Sequence, residues 1–323
     1  MVTTWPANFP ILQESAEKFA HDLGVLSNGR LDVKVFAGEE LVPALQVFDA
    51  VSQGAVEMGH GSAYYWAGKI PAAQFFSTVP FGMTAKGMHA WLYHGGGIEL
   101  WRELYKPYNV MPFPIGNSGV QMGGWFNKKI ESMDDIKGLR MRIPGLGGKV
   151  LKMAGGNPVL MPGGEIYTAL ERGTIDATEW VSPFHDLRLG LDRAARYYYY
   201  PGWHEPGTEF ELLINTGKWN ELPDYLKRMI EVTAEATSEW VYSSMEYHNT
   251  EALKELANKE NVTVLEFPPE VLAGLHKLTD RMLQEESEKD ADFKRVYEAY
   301  RRFRADYAQW NNISDRALMR DGD

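Results

Sequence analysis

The chain has no cysteine, which excludes disulfides, thiolate metal sites and cysteine nucleophiles. No apolar run approaches the roughly 20 residues that span a bilayer. The start, Met1-Val2-Thr3-Thr4-Trp5-Pro6, has neither the basic opening nor the apolar stretch of a leader peptide. Positive charge is scarce: 33 Lys and Arg stand against 44 Asp and Glu, a formal net charge of -11. That balance argues against nucleic acid or an anionic membrane surface as the main partner. Any anion site must then be built locally, from one or two cations and backbone N–H groups. Catalytic signatures are missing as well. The 8 histidines lack the helical His-to-His spacing of a zinc protease. There is no Gly-x-Ser-x-Gly elbow, phosphate loop or dinucleotide fingerprint. These absences argue against an enzyme.

What is present reads as a large α/β protein. The 323 residues are 44% hydrophobic, enough for two lobes with separate cores. Helical spacing covers 11–23 through Leu12, Ala16, Phe19 and Ala20. Residues 31–36 alternate as a strand, with Leu31, Val33 and Val35 on one side. A helix follows over 43–53, opened by Pro43 and closed by Gly54, and 56–60 is a short buried strand. A second unit opens near Gly124. It runs as strand 125–127, a capped short helix 132–136, strand 139–143, helix 147–154, strand 158–161, helix 165–172 and strand 175–180. This rhythm predicts largely parallel sheets.

Segments 48–57 and 167–176 match in kind: a helix end, a glycine (Gly54, Gly173) and a strand start carrying an acid (Glu57, Asp176). Helix-glycine-strand is also a common local solution. Taken as a repeat, it gives two lobes of like topology with a ligand cleft at strand C-termini. From Leu222 helical periodicity dominates, with one late strand at 262–267 and amphipathic helices at 269–283 and 292–310. Such helices either brace both lobes or form a helical layer on one of them. The expected division is 1–123 with about 214–255 for the first lobe. The second takes 124–213 with about 256–323, including the C-terminal helices.

Several residues are placed to hold a ligand. Arg142 ends a strand beside the loop Pro144-Gly145, where a guanidinium can grip a carboxylate with two parallel hydrogen bonds. Glu179 and Trp180 end another strand. A glutamate in an anion site needs a cation beside it, and a hard cation with oxygen ligands meets that need. Gln121 lies in the glycine-rich crossover 117–126 and offers a neutral oxygen to such a cation. Tyr64 or Tyr65, after a first-unit strand, can cap a ligand from the opposite lobe. Trp203-His204-Glu205, in a Pro/Gly-bounded loop, can do the same.

Five segments carry a resemblance: 38–43 (Gly-Glu-Glu-Leu-Val-Pro), 91–98 (Trp-x-Tyr-His-Gly-Gly-Gly-Ile), 119–126, 173–181 and 197–203. Together they resemble the solute-binding proteins of the tripartite ATP-independent periplasmic (TRAP) transporters. The branch they resemble binds 2-oxo acids and related small monocarboxylates. The resemblance implies a two-lobed, periplasmic-binding-protein-like α/β fold with long brace helices. It implies Arg142 as the carboxylate-binding arginine. Gln121, the Glu179 carboxylate and the Trp180 carbonyl would hold a metal ion, sodium or calcium. Tyr64, Tyr65, Trp203 and Phe9 would complete the ligand pocket. Pro6 and Pro10 around Phe9 depart from the family pattern. The implied setting is periplasmic, with the leader already removed. The implied partners are a small organic carboxylate, membrane transporter subunits and a second copy of the chain in a homodimer. Two other classes remain open on the residues alone: a metal-dependent enzyme acting on a 2-oxo acid, and a sensory module using the same clamp.

Overall fold

The computed structural model describes residues 1–320; positions 321–323 of the expected second lobe lie outside the described residues. The strands are β1 (Val2–Thr3), β2 (Met58–Gly61), β3 (Val110–Asn117), β4 (Gly124–Phe126), β5 (Arg140–Arg142), β6 (Asn157–Val159), β7 (Ala177–Thr178), β8 (Tyr197–Tyr200), β9 (Glu209–Asn215) and β10 (Thr263–Glu266). They form two sheets, one per lobe, in the orders β1-β2-β9-β3 and β10-β8-β4-β7-β5-β6.

The sheets are mixed rather than largely parallel. In the first, β9 runs antiparallel to β2 and β3. In the second, β4 runs antiparallel to β7 and β8. The reason is topological. β3 passes directly into β4 through residues 118–123, and β8 passes into β9 through 201–208, each crossing from one sheet to the other. A strand that arrives this way, without a crossover helix, enters against the direction of its neighbours. Gly202 permits the two crossovers to touch, since a Cβ there would lie 2.2 Å from the Gln121 carbonyl oxygen.

Three sequence expectations change. Residues 31–36 do not form a strand; only Phe36 bridges, to Val2, because the two-residue β1 offers the segment nothing further to pair with. The helix expected over 43–53 is a 3-10 turn, Ala44–Gln46, followed by an α-helix, Val47–Ser52. The lobe boundary also moves. All of β9 lies in the first sheet, so the second lobe's run ends before residue 209 rather than at 213.

The long helix Asp224–Ala257 packs on β3 and helix Leu12–Leu26 of the first lobe and on helix Pro183–Leu189 of the second. It is therefore a brace rather than a layer on one lobe. Helix Pro269–Lys289 packs on helix Gly145–Met153 of the second lobe. The next, Ala291–Ile313, returns to the first lobe, against the second-lobe expectation, because its aromatic face finds Phe75. The rings of Phe293, Tyr297 and Tyr300 lie 4.7, 5.8 and 5.8 Å from it. Among the described residues no helix is long and apolar enough to cross a membrane.

Glu211, in the middle of β9, is fully buried in the first lobe. The Trp66 indole N–H and the Tyr105 hydroxyl donate to its two oxygens. Burial pushes its carboxyl up from the ordinary 4.5 to about 8. The folded state therefore binds a proton that the unfolded state has already released. Its contribution is full below pH 4.5 and is lost as pH rises toward about 8. Glu211→Gln should remove that slope. The melting temperature of the variant should gain on wild type steadily between pH 5 and 8, as followed by calorimetry; a constant difference across that range would show Glu211 ionised in the fold.

Candidate functional site

Two neighbouring strand ends start the site. β5 and β7 run parallel with Arg142 beside Thr178, so Arg142 and Glu179 emerge together, and the Glu179 N–H donates to the Arg142 carbonyl at 3.2 Å. Residues 179 and 180 have already left the strand, which is shorter than the 175–180 expected. The Arg142 guanidinium pairs with the Glu179 carboxylate. It also donates to the Glu179 carbonyl at 3.4 Å and to the Met161 carbonyl at 3.3 Å. It lies 5.3 Å over the Trp180 ring. Arg142 and Glu179 are each 1% exposed. Burial opposes the Arg142 charge, but Glu179 together with Tyr65 and Tyr64 outweighs it and the pKa is raised.

The crossovers supply the rest. The Gln121 amide N–H groups donate to the Ser118 and Thr208 hydroxyls, each at 3.2 Å. That fixes the amide and leaves its oxygen buried without a partner. The Gln121 N–H donates to the Glu205 carbonyl at 3.1 Å, and the Gly202 N–H to the Gln121 carbonyl at 2.9 Å. Thr208 donates its hydroxyl to the Glu205 carboxylate. Glu179, His204 and Glu205 each bring a ligand atom within 4.8 Å of the others; His204 Nε2 is 3.5 Å from Glu179 Oε2.

Unsatisfied polar atoms gather here: Gln121 Oε1, Arg142 Nη2, Glu179 Oε2 and both ring nitrogens of His204. Buried polar groups ordinarily have partners, so the cluster is built to receive something polar. Burial, and then the Glu179 charge, push the Glu205 carboxyl well up. Two desolvated carboxylates and an amide oxygen form the donor set of a hard cation, which would relieve their repulsion. Among the described hydrogen bonds none reaches the Trp180 carbonyl, which leaves it free for the same cation.

The first lobe covers the cluster. Tyr64 and Tyr65 sit on the 3-10 helix Ala63–Trp66 just after β2, with ring centroids 4.7 Å apart. Both face Arg142 and Glu179, and burial raises both phenols. A Cβ on Gly145 would lie 3.1 Å from Tyr64 Cβ, so the lobes meet closely here. Phe9 meets the Trp180 ring edge-on at 5.9 Å. Trp203 departs from expectation. Its ring stacks on Phe81 at 5.8 Å and is buried there, while its neighbours His204 and Glu205 turn into the cluster. Sequence places Glu205 only in a loop that can cap a ligand, with no oxygen-donor role, and gives no signal for Thr208. The only signal was the loop between Pro201 and Pro206, which pattern alone could not orient. Asp186, on helix Pro183–Leu189, gave no signal at all. It accepts from Trp125 Nε1 at 3.0 Å, the Tyr198 hydroxyl at 2.7 Å and the Val181 N–H at 3.1 Å. It thereby fixes the bend that aims Glu179 and Trp180. Burial lifts its carboxyl to about 7.

Known proteins share this architecture. Residues 1–290 match the family model described as bacterial extracellular solute-binding protein, family 7. The chain is 43% identical over 315 residues to a monocarboxylate 2-oxoacid-binding periplasmic protein of Nostoc sp., covering 98% of this chain and 86% of that one. It is 40% identical to a TRAP periplasmic solute-binding protein of Pseudoalteromonas atlantica solved with sodium and pyruvate, covering 100% and 98% of the two chains with a TM-score of 0.97. A second such protein, from Colwellia psychrerythraea with calcium and pyruvate, is 42% identical over 99% and 98% of the chains with a TM-score of 0.96. The chain belongs to the family 7 bacterial extracellular solute-binding proteins, two-lobed receptors of TRAP transporters rather than catalysts.

Proposed function

We propose that the clamp captures a small 2-oxo or 2-hydroxy monocarboxylate of pyruvate size, held by Arg142 and by a metal ion, sodium or calcium. The observation that carries this is the buried cluster of Arg142 Nη2, Gln121 Oε1 and Glu179 Oε2, all without partners. Gln121, Glu179, Glu205 and the Trp180 carbonyl would hold the ion. The ion would supply the positive charge that lets an acid lie beside Glu179 and Glu205. Arg142 binds the ligand carboxylate with the guanidinium edge that Glu179 does not occupy. Tyr64, Tyr65 and Phe9 close over the ligand from the first lobe and exclude water, which strengthens both charge contacts. Trp203 lines the loop behind His204 rather than the ligand. The closed form is the one handed to the membrane subunits. Closure is favoured only by the ligand's differential affinity for the two forms.

The proposed setting is the periplasm after removal of a leader. We also propose a homodimer formed through the C-terminal helices, where Trp310, Ile313, Leu318 and Met319 are exposed.

Calorimetric titration tests the ligand. The metal-loaded protein should give heat with pyruvate, lactate and similar acids; silence with every small monocarboxylate would remove the assignment. Stripping the metal with a chelator should weaken pyruvate binding at least roughly 100-fold, since two carboxylates then face the acid uncompensated. Adding sodium or calcium back should restore it. Arg142→Lys should weaken binding about 10- to 150-fold, because one ammonium cannot reproduce the guanidinium's paired contacts. Metal content should stay unchanged in that variant, and equal affinity in wild type and variant would take Arg142 out of the contact.

A further inference from the structure

Residues 6–11 of the first lobe cross onto the second. Phe9 is 7% exposed and is held by two second-lobe rings. Trp180 meets it edge-on at 5.9 Å, and His185 stacks on it at 5.5 Å. The next residue adds a polar contact, with His185 Nε2 lying 3.0 Å from the Pro10 carbonyl oxygen. Burial holds the His185 ring neutral, with its pKa lowered to about 4. Nε2 therefore carries the proton it donates, and Nδ1 is left buried without a partner. The loop is strained at Ile11. Asn8 has φ 57, and Ile11 has φ 58 with ψ -52, a region that a β-branched side chain avoids. Such strain persists only where surrounding contacts hold it. Here the Ile11 N–H is held by the Glu14 carboxylate at 3.1 Å. The Pro10 carbonyl is held from two sides, by the Leu12 N–H at 2.6 Å and by His185.

We infer that Phe9 and Pro10 form a strained latch seated on Trp180 and His185, and that His185 is a positioning residue that sets how long the clamp stays shut on its ligand. This rests on the ligand assignment proposed above. The coupling is direct, because Trp180 is shared. Its ring meets Phe9 in a T-shaped contact and also carries the Arg142 guanidinium over it. A ligand that orders Arg142 therefore also orders the latch's seat. When the ligand contacts are lost, strain at Ile11 drives the loop off that seat. Opening is thus fast once the acid leaves and slow while it stays.

Two variants and two readouts test this. Phe9→Ala removes the latch. His185→Phe keeps the stacked ring and removes only the hydrogen bond to Pro10. Stopped-flow tryptophan fluorescence on the metal-loaded protein should show pyruvate release accelerated about 10-fold in the first and about 3-fold in the second, in line with lost burial and one lost hydrogen bond. In His185→Phe, which touches neither the proposed ligand nor the ion contacts, association rates and metal content should stay near wild type. The chain has no cysteine, so spin labels at Val25→Cys and Arg172→Cys, exposed sites on the two lobes, report the distance between them. With saturating pyruvate both variants should show a second, longer distance that wild type lacks. Unchanged release rates and a single short distance in both variants would overturn the latch. Wild type that binds pyruvate and closes establishes the ligand separately. Wild type that neither binds nor closes overturns the ligand assignment and the latch's role in retention with it.

Discussion

A guanidinium and a carboxylate, each 1% exposed, meet at the ends of two adjacent parallel strands. Their burial is costly: removing both charges from water takes several kcal/mol per ion, and a buried pair recovers that only with good geometry and further hydrogen bonds. The surroundings of Arg142 are arranged accordingly, with two backbone carbonyls and an aromatic face around the head group. One amino group is still left over, as is one oxygen of Glu179. The pair is therefore only half satisfied by the protein. A ligand that brings an anionic edge to Arg142, together with a cation for Glu179, completes both halves at once. On the proposed reading, the unmet groups call for two species rather than one.

The strand exchange explains why such a site can sense closure. β4 and β9 each enter their sheet from the opposite lobe, so the two crossover segments are clamped at both ends by sheet hydrogen bonds. Gln121 lies on one crossover and Glu205 on the other, joined through Thr208 and through backbone bonds. The oxygen donors Gln121 and Glu205 thus lie on the two segments that join the lobes. A few degrees of twist between lobes must then alter the spacing of the oxygen donors. No separate transmission pathway is needed between hinge and site.

The parts of the fold that local pattern encodes were legible: the helix Leu12–Leu26, the alternation around Arg142, the long helices after residue 222. What failed was long-range. β3 contains Pro112 and Pro114, residues that normally argue against a strand. They are tolerated because β3 is the edge of its sheet, where a missing N–H leaves no ladder partner unpaired. β9 carries Glu209 and Glu211, both fully buried, so the face opposite Phe210, Leu212 and Ile214 reads as solvent-facing although the fold covers both. Arg142, Gln121 and Glu179 were legible because strand ends and a glycine-rich crossover announce themselves locally. Asp186 was not, since its role depends on Trp125, 61 residues away, and Glu205 was legible only as part of a loop, since its closeness to Glu179 is set by the fold.

Buried acids are a recurring cost in this molecule, and their placement separates two kinds. Glu211 is satisfied by Trp66 and Tyr105 and is held neutral by burial; nothing in its surroundings calls for a further partner. Asp186 is likewise satisfied, by three donors, and its work is to hold the backbone between Glu179 and its helix. Glu179 and Glu205 differ. They stand close to one another, with unpartnered donors and acceptors around them. Burial raises the carboxyls of Glu211, Asp186 and Glu205 alike. Only the second pair sits where two lobes meet, beside an arginine. Glu211 is closed off by the bonds it makes, while Glu179 and its neighbours are left with bonds unmade, and that difference separates a structural acid from a candidate site.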